Sequence, residues 1–314
     1  MKNLVKKVQN TAFQERLWQK GSKIVLGVSG GPDSVCLLEV MVKIASKYDL
    51  DLIIAHVNYG LRGKDSDRDE KFVKGLAKRY NLKIKVLKVK TVKAVEDNLR
   101  NIRYEFFEKV RQKNNFDLVA VAHNIDDQVE TFLMRVIRGA GLKGLSAMKH
   151  KTEKIIRPLL NLSRSEILEY LKKNKQPHRT DKTNKENLFF RNKVRNQLIP
   201  YLEKNFNPRI KKTIFRSVKS IAEDADFLEK TTEKYFREKK EICVSKIFLL
   251  HPALQKRIIL KIIEKAKKNL KDIDAAHVEE ILKALKSTKD KRQTVVFKGL
   301  KLTRINDKLI LARN

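Results

Sequence analysis

The stretch that decides the fold is Ile24-Val25-Leu26-Gly27-Val28-Ser29-Gly30-Gly31-Pro32-Asp33-Ser34-Val35-Cys36-Leu37-Leu38. Its first five residues form an apolar run typical of a buried strand, and the residues from Val35 onward predict a helix. Between them, Gly30 and Gly31 allow the backbone to turn tightly and to bring its N–H groups close to an anion. The hydroxyls of Ser29 and Ser34 and the positive end of the incoming helix add further donors. The stretch therefore predicts a loop that holds phosphate.

The composition of this loop separates it from two other phosphate-binding loops. A Walker A loop has the pattern G-x-x-x-x-G-K-S/T, and a dinucleotide-binding loop needs a third glycine for helix packing, and neither pattern is present. Instead Asp33 stands within the loop, and a carboxylate suits a Mg²⁺ ion held against a pyrophosphate better than it suits bare phosphate. A strand-to-helix turn without a ligand is the alternative, and two adjacent glycines alone would not decide between them. The complete S-G-G-x-D-S string favours the phosphate loop.

Strand-like runs alternate with helical segments over the first half of the chain. We predict strands at residues 24–28, 52–57, 84–89 and 118–122, with helices at about residues 66–80 and 95–114. Strands separated by helix-length segments indicate an α/β fold, with a parallel sheet covered by helices on both faces. Ligands of such sheets bind beyond the carboxyl ends of the strands, where residues 29–34, 56–62 and 123–130 are expected.

The second half of the chain is predicted to be mostly helical. We expect helices at residues 163–174 and 187–202, a long helix from residue 208 to about residue 240, two helices within residues 251–286 and a hairpin at residues 294–312. The expected organisation is a first domain of residues 1–207, a linking helix of residues 208–240, and a small α+β domain of residues 241–314.

The charge balance points to a polyanionic partner. The 314 residues contain 71 Lys and Arg against 37 Asp and Glu, a formal net charge of +34. Nucleic acid is the leading candidate, because Lys and Arg gain affinity by neutralising phosphates, although a general richness in lysine explains part of the excess. The only cysteines, Cys36 and Cys243, form no C-x-x-C pair, so we expect no disulfide framework or cysteine zinc site and a cytoplasmic protein. No apolar stretch approaches the roughly 20 residues of a membrane-spanning helix.

The segment from His123 to Thr131 is the second strong signal. It follows the fourth predicted strand and opens a helix with Asp126, Asp127 and Glu130 in its first turns. A stripe of apolar residues predicts that this helix turns Asp127, Glu130 and Thr131 away from the core. The stripe consists of Val129, Phe132, Leu133, Val136 and Ile137. Helix capping explains acids at this place, and so does a site for Mg²⁺ or a cationic amine.

Two further groups of residues are weaker signals. His56 and Arg62 follow the second strand, and a single His there is more often structural than catalytic. Arg100 and Arg103 lie one turn apart on a predicted helix, where a solvated charged face is the default interpretation.

Two more arginine-bearing segments follow the His123 segment. Arg138 precedes three glycines near a helix end. Arg191 and Arg195 are four residues apart and would project together, toward phosphates or an adenylate or simply toward solvent.

Together these segments resemble the tRNA(Ile)-lysidine synthetase family, within the ATP pyrophosphatase superfamily, over nearly the whole chain. The matching segments are S-G-G-P-D-S (29–34), H-V-N-Y-G-L-R (56–62), E-D-N-L-R-N-I-R-Y (96–104), A-H-N-I-D-D-Q-V-E-T (122–131), R-G-A-G-L-K-G-L (138–145), R-P-L-L (157–160), D-K-T-N (181–184) and R-N-K-V-R (191–195). D-D-Q-x-E-T and R-N-x-x-R are specific to the family. Asn124 is a departure, because the family often has a second histidine there, which puts a role for an imidazole at that position in doubt.

The resemblance implies a PP-loop ATPase fold of the adenine nucleotide α-hydrolase type and a two-step ligase. It also implies that residues 1–207 form the ATP-binding catalytic domain and that residues 241–314 bind tRNA. ATP would adenylate the C2 oxygen of the wobble cytidine in the CAU anticodon of tRNA(Ile), and free L-lysine would then displace AMP to give lysidine. The cofactors would be ATP and Mg²⁺, and whether the chain forms a homodimer is left open. A tRNA thiolase of the same superfamily and a noncatalytic tRNA-binding module are the alternatives.

The resemblance also implies roles for the residues named above. Ser29, Gly30, Gly31, Pro32, Asp33 and Ser34 would hold the ATP pyrophosphate, with Asp33 and Asp127 as metal ligands. The catalytic set would be Asp33, Asp127, Glu130, Arg191 and Arg195, with Asp127 and Glu130 binding either the metal or the lysine amine. The remaining set would contact tRNA or substrate and contains His56, Arg62, Arg100, Arg103, His123 and Arg138.

Overall fold

A computed structural model describes residues 4–89, 95–179, 189–238, 242–267, 273–287 and 292–313. The chain divides into two compact units, Met1–Ala222 and Glu223–Asn314. The division falls within a 29-residue helix, Ile210–Glu238, which the predicted bounds at residues 207 and 240 bracket. The three-part organisation itself stays a prediction.

The first unit contains the predicted parallel sheet. Its strands are β1 (Lys23–Gly27), β2 (Asp51–Asn58), β3 (Lys83–Lys88), β4 (Leu118–Ala120) and β5 (Ile155–Ile156). They lie in the order β3-β2-β1-β4-β5, and every neighbouring pair is parallel. Because Leu26 of β1 pairs with Ile54 and with Ala120, the loops that follow β1, β2 and β4 meet at one edge of the sheet. The α/β expectation is confirmed, and β5 is an addition that the sequence analysis missed.

Helices cover both faces of the sheet. Those of the first unit are α1 (Leu4–Gln14), α2 (Pro32–Tyr48), α3 (Lys64–Arg79), α4 (Glu96–Lys113), α5 (Ile125–Ile137), α6 (Leu142–Leu145) and α7 (Arg164–Lys173), followed by α8 (Phe190–Lys193) and α9 (Ile199–Asn205). Successive strand residues point to opposite faces. Ile24 and Leu26 therefore join the core with α2 and α3, whereas Val25 packs against Phe107 of α4 on the other face.

The predicted helix at residues 187–202 is broken within its described part. A π-helical turn, Val194–Leu198, separates α8 from α9. Pro200 lies at the start of α9, where its missing N–H costs nothing. A separate apolar cluster, which includes Val129, Val194 and Ile199, packs this broken segment against α5. That packing sets the position of the arginines at 191 and 195.

The second unit begins within α10 (Ile210–Glu238) and then contains α11 (Val244–Phe248), α12 (Pro252–Lys267) and α13 (Ala275–Lys286). The predicted hairpin is wrong in its strand count, because β6 (Arg292–Phe297), β7 (Leu300–Ile305) and β8 (Lys308–Arg313) form a three-stranded antiparallel sheet. Tight turns at Gly299 and Asn306, both with positive φ, reverse the chain twice. In the described ranges, no helix combines the length and apolar character needed to cross a membrane.

Candidate active site

The loop after β1 has the backbone that its glycines predict. Gly30 adopts a φ of +94°, which favours glycine, and Gly31 caps the N-terminus of α2 in an extended conformation. Ser34 Oγ accepts hydrogen bonds from the backbone N–H groups of Ser29 and Gly30, each at 3.1 Å, and donates to the Gly31 carbonyl at 2.9 Å. The Ser34 hydroxyl is therefore buried and closes the loop, while Ser29 is exposed.

Asp33 in the first turn of α2 joins three elements. Its Oδ1 accepts a hydrogen bond from Asn124 Nδ2 at 3.0 Å, and its Oδ2 pairs with Arg164 Nη1 at 2.7 Å. Burial raises the pKa of this carboxyl above its ordinary value, and the charge of Asp127 adds to that effect while Arg164 opposes it. An ionised Asp33 is therefore held at a cost that a nearby cation would reduce.

Asn124 fixes the start of α5. Its Oδ1 accepts from the Asp127 backbone N–H at 3.1 Å, and the Asp127 carboxylate accepts from the Asn124 N–H at 3.0 Å, which completes a capping box. The capping interpretation of Asp127 is thus confirmed. Because the amide of Asn124 also donates to Asp33, an imidazole is not needed to link α5 to the phosphate loop.

Two carboxylates of α5 and two arginines form a four-residue ion cluster. Glu130 Oε2 accepts from Arg191 Nε at 2.7 Å, and Glu130 Oε1 accepts from Arg195 Nε at 2.5 Å. Asp127 Oδ1 lies 2.6 Å from Arg191 Nη2 and 3.6 Å from Arg195 Nη2. We refer to Asp127, Glu130, Arg191 and Arg195 as the ion cluster. The sequence left open whether Arg191 and Arg195 project toward a ligand or toward solvent. In the structure both guanidinium groups point at the carboxylates of α5.

The buried and exposed residues of α5 differ from those that were predicted. The Glu130 side chain is only 1% exposed, whereas Val136 and Ile137 of the predicted core stripe are 47% and 55% exposed. The segment around Val194 packs on the first turns of α5 and brings its arginines over the carboxylates. The prediction that Glu130 faces away from the core and Val136 and Ile137 face into it was therefore wrong.

The acids fit a magnesium ion only in combination with a substrate. Within the described ranges, no group of three or more His, Cys, Asp or Glu side chains could hold a metal ion. Mg²⁺ is commonly held by one or two carboxylates together with the phosphates of a nucleotide. Asp33 and Asp127 are close enough for one charge to raise the pKa of the other, so they fit that arrangement.

His123 lies among arginines at the end of β4. Its Nδ1 faces Arg157 Nε at 3.3 Å, and Arg157 is buried and also donates to the Lys149 carbonyl at 2.8 Å. Burial lowers the pKa of His123 well below its usual range, and the charges of Arg157, Arg191, Arg103 and Arg100 add to that effect. The ring is therefore neutral at physiological pH, with Nδ1 as acceptor and the proton on Nε2.

A cavity of about 200 Å³ lies beside the loop. The loop and the ends of β1, β2 and β4 line it together with Arg103, Tyr104 and Phe107 of α4, and His123 reaches it as well. Gly27 is needed there, because a Cβ atom would lie 2.6 Å from the Phe107 ring. The cavity is smaller than the roughly 300–1,000 Å³ of whole-ligand pockets, so it suits one part of a nucleotide, such as its base.

Several predicted site residues lie away from this cavity. His56 is 3% exposed, and its Nδ1 bonds to the Val28 carbonyl at 2.8 Å, so it supports the loop from behind. Arg62 pairs with Asp69 beside the loop. Arg138 is exposed and stacks over the Phe190 ring with 5.5 Å to the centroid. Arg100 stacks over the Tyr104 ring at 5.0 Å. The predicted segment at residues 181–184 lies outside the described residues.

Two residues of the site were not assigned a role from the sequence. Arg164 holds Asp33 from across 131 positions of the chain, and no motif marked it. Arg157 stands in the R-P-L-L segment, which was noted only as a match. An arginine directly after the short apolar run Ile155-Ile156 was the available signal for Arg157.

Comparison with known proteins agrees with this geometry. Residues 1–202 match the family of the PP-loop domain. The chain is 40% identical to a tRNA(Ile)-lysidine synthase of Clostridium tetani, with 96% of this chain and 67% of the relative covered. The tRNA(Ile)-lysidine synthase of Clostridioides difficile is 34% identical over 97% of this chain and 70% of its own length. The chain thus spans about two thirds of the length of these relatives.

The likeness to solved structures is more distant. A U34-tRNA thiolase from Methanococcus maripaludis with its 4Fe-4S cluster superposes with a TM-score of 0.58, over 70% of this chain and 78% of the thiolase, at 24% identity. That degree of likeness establishes a shared fold.

Proposed function

The chain belongs to the tRNA(Ile)-lysidine synthase family, and from this premise we propose how its residues carry out the ligation of lysine to the wobble cytidine of an isoleucine tRNA. The enzyme is an ATP-dependent ligase that forms a carbon–nitrogen bond. The observation that carries this function is the identity of 40% over 96% of the chain, which spans both the loop and the ion cluster.

In the first step, the C2 oxygen of the cytidine attacks the α-phosphorus of ATP and pyrophosphate leaves. The loop of residues 29–34 binds the polyphosphate, and the cavity lined by Tyr104 and Phe107 takes the adenine base. Asp33 and Asp127 would hold a Mg²⁺ ion, which supplies positive charge against the phosphates. Because His123 is neutral, its Nε2–H can donate a hydrogen bond to the substrate without placing a positive charge in the site.

In the second step, the ε-amine of lysine attacks C2 and AMP leaves with the oxygen. The ion cluster orients this step, because Arg191 and Arg195 are anchored by the buried Glu130 and hold the carboxylate of Asp127, which is the more exposed of the two acids and would attract the amine. Each arginine has donors for both a carboxylate and the phosphate of the adenylate. Binding of the adenylate can therefore weaken the ion pairs of Arg191 and Arg195 with Glu130 or Asp127. Catalysis here depends mainly on positioning and charge stabilisation.

The tRNA thiolase alternative has little support in the chain. Burial raises the pKa of the Cys36 thiol to about 12, so it is not available as a nucleophile. The other cysteine, Cys243, belongs to the second unit, and both are free. The free cysteines likewise support a cytoplasmic location. Whether the chain forms a homodimer can be measured by size-exclusion chromatography.

The decisive experiment is one incubation with ATP, free L-lysine and a CAU-anticodon isoleucine tRNA, followed by mass analysis of the nucleosides. We expect lysidine in the RNA together with AMP and pyrophosphate. Binding of tRNA without release of pyrophosphate would instead support the noncatalytic binding module. Incorporation of sulfur from a sulfide donor, and not of lysine, would support the thiolase.

A further inference from the structure

Arg157 is a buried arginine that follows β5 and lies beside His123. It is 6% exposed, its Nε donates to His123 Nδ1 at 3.3 Å, and its Nη1 donates to the Lys149 carbonyl at 2.8 Å. Among the residues that the structure describes, no carboxylate pairs with Arg157. Its guanidinium group therefore donates to neutral acceptors, and one of them is the ring nitrogen of a residue of the site.

The contact with Arg157 fixes the state of the His123 ring. A guanidinium group donates hydrogen bonds and accepts none, so Nδ1 must be the acceptor and the proton of the neutral ring lies on Nε2. His123 also lines the cavity beside the phosphate loop, together with Asp33 and Tyr104. In the described ranges, the Nε2 atom has no hydrogen-bond partner. Its N–H is thus the donor that remains for a ligand in the cavity.

We propose that Arg157 is a positioning residue of the ligase reaction, which holds His123 so that its Nε2–H donates to the AMP part of the bound nucleotide. This proposal rests on the proposed use of the loop and the cavity for ATP. The loop binds the pyrophosphate end, and the cavity with the rings of Tyr104 and Phe107 binds the rest, so the donor reaches the AMP part. That part is common to ATP, to the adenylated tRNA and to the AMP product. A donor that is already oriented needs no rearrangement when the adenylate forms.

A purely structural role for Arg157 would be to close the turn before β5. The Arg157 backbone N–H already donates to the His150 carbonyl at 2.8 Å, and a neutral side chain could donate to the Lys149 carbonyl. A buried charge without a carboxylate partner costs more free energy than a neutral donor does. The charge acts on His123 in particular, because a cation beside Nδ1 opposes protonation of the ring, as do arginines of α4 and α8. Control of His123 therefore explains an arginine at this position better than closure of the turn does.

The test is calorimetric titration of the full chain with ATP, with AMP and with inorganic pyrophosphate. We expect Arg157→Met to lower the affinity for ATP and for AMP by about threefold to tenfold, which is the effect of one hydrogen bond, and to change pyrophosphate affinity by less than about twofold. In a chain that already carries His123→Ala, Arg157→Met should not weaken ATP or AMP binding further, because Arg157 acts through the ring. Arg111→Met is the matched control, since the Arg111 side chain is 14% exposed, donates to the Phe116 carbonyl at 2.9 Å and lies outside the lining of the cavity.

Nitrogen NMR of the histidine rings in the ligand-free protein tests the contact by itself. The spectrum of His123→Ala identifies the His123 signals. We expect the proton of the neutral His123 ring on Nε2, and we expect Arg157→Met to shift the Nδ1 resonance, because that nitrogen loses its donor. A proton on Nδ1 in the wild-type chain would overturn the proposal, whether or not the variant folds.

The titrations separate the other possibilities. Unchanged ATP and AMP affinity in Arg157→Met would overturn the proposal. A full additional loss in the double variant would also overturn it, because Arg157 would then act independently of His123. An equal loss of pyrophosphate affinity would count against it as well, since that would show damage to the phosphate loop. A wild-type chain that binds none of the three ligands would instead refute the proposed use of the loop and the cavity, and this proposal with it.

Discussion

Asp33 is the residue on which the adenylation step depends most. It is the acid of the phosphate loop and is held by Asn124 and Arg164. We expect Asp33→Asn to abolish tRNA-dependent ATP–pyrophosphate exchange while tRNA binding persists, because the amide keeps the size of the side chain and loses its charge. The measurement is exchange of radiolabelled pyrophosphate beside a filter-binding assay. Retained exchange would remove Asp33 from the mechanism.

The same variant has a defined effect on stability. Burial raises the folded-state pKa of Asp33, so the stabilisation from its protonated form is present at low pH and is lost as the pH rises through that pKa. At neutral pH the ionised group is thus a cost to the fold, and Asp33→Asn should keep or raise the thermal unfolding midpoint. Asp51→Asn, at an exposed position, is the control that should change neither exchange nor stability. A lowered midpoint for Asp33→Asn would contradict the assigned effect of burial.

At the scale of elements, the ion cluster joins α5 to the broken helical segment at residues 190–205. Glu130 is the central member, because both arginines donate to it and its side chain is 1% exposed. Removing one charge from a buried pair leaves the others uncompensated, which costs about 3–5 kcal/mol. We therefore expect Glu130→Gln to lower the free energy of unfolding by that amount in urea titrations and to abolish lysidine formation.

The control for Glu130→Gln is Glu169→Gln on α7, at an exposed position. A surface substitution of this kind should change the free energy of unfolding by less than about 0.5 kcal/mol. Equal stability of the Glu130 variant and its control would show that the cluster does not hold α5 to the neighbouring segment.

The elements of the sheet were accessible from the sequence, because central parallel strands are buried on both faces and appear as continuous apolar runs. β1, β2 and β4 were found within one or two residues of their observed bounds in this way. The edge strand β3 was placed as closely, although lysines interrupt its apolar residues. The two-residue strand β5 carries no such run, and its pairing with β4 is a tertiary fact. The π-helical turn at Val194–Leu198 is likewise invisible to a helical pattern that continues through it.

The site was accessible only where its residues follow a strand directly. The loop residues and His123 could be placed because the carboxyl ends of parallel strands share one edge. The Asp33–Arg164 contact joins positions 131 residues apart, and no local periodicity encodes it. Glu130 was misplaced for a related reason, since the arginines that bury it come from another segment of the chain.

At the scale of the whole molecule, one buried and two half-buried histidines predict sensitivity to acid. Burial lowers the pKa of His56, His123 and His150 below the ordinary value of 6.5. The unfolded chain therefore binds more protons than the folded one below about pH 6.5, and stability falls as the pH falls, by at most about 1.4 kcal/mol per pH unit for each histidine. Urea titrations between pH 7.5 and pH 5 should show this decline.

Replacing one histidine separates this effect from the carboxylates. His150→Gln should reduce the slope, by at most about 1.4 kcal/mol per pH unit, because fewer protons are taken up on unfolding. Glu70 affects stability in a different pH range. Burial raises the pKa of Glu70, but hydrogen bonds from Lys74 and Asn58 outweigh this effect and hold the pKa at about 2. Its contribution to folding stability is therefore lost only as the pH falls below the ordinary pKa of 4.5. An unchanged slope in His150→Gln would contradict the assignment of the first window to the histidines.

The net charge of +34 predicts that the binding of tRNA by the whole chain depends strongly on salt. Each phosphate neutralised by Lys or Arg releases counterions, so the affinity for tRNA should fall linearly with salt on a logarithmic scale, by about 10³-fold or more between 50 and 200 mM. ATP carries few phosphates and its affinity should fall much less. Fluorescence anisotropy with labelled tRNA(Ile) measures the slope, and calorimetry with ATP supplies the comparison. If tRNA affinity were as insensitive to salt as ATP affinity, the basic surface would not be the source of binding, and the lysine excess would reflect composition alone.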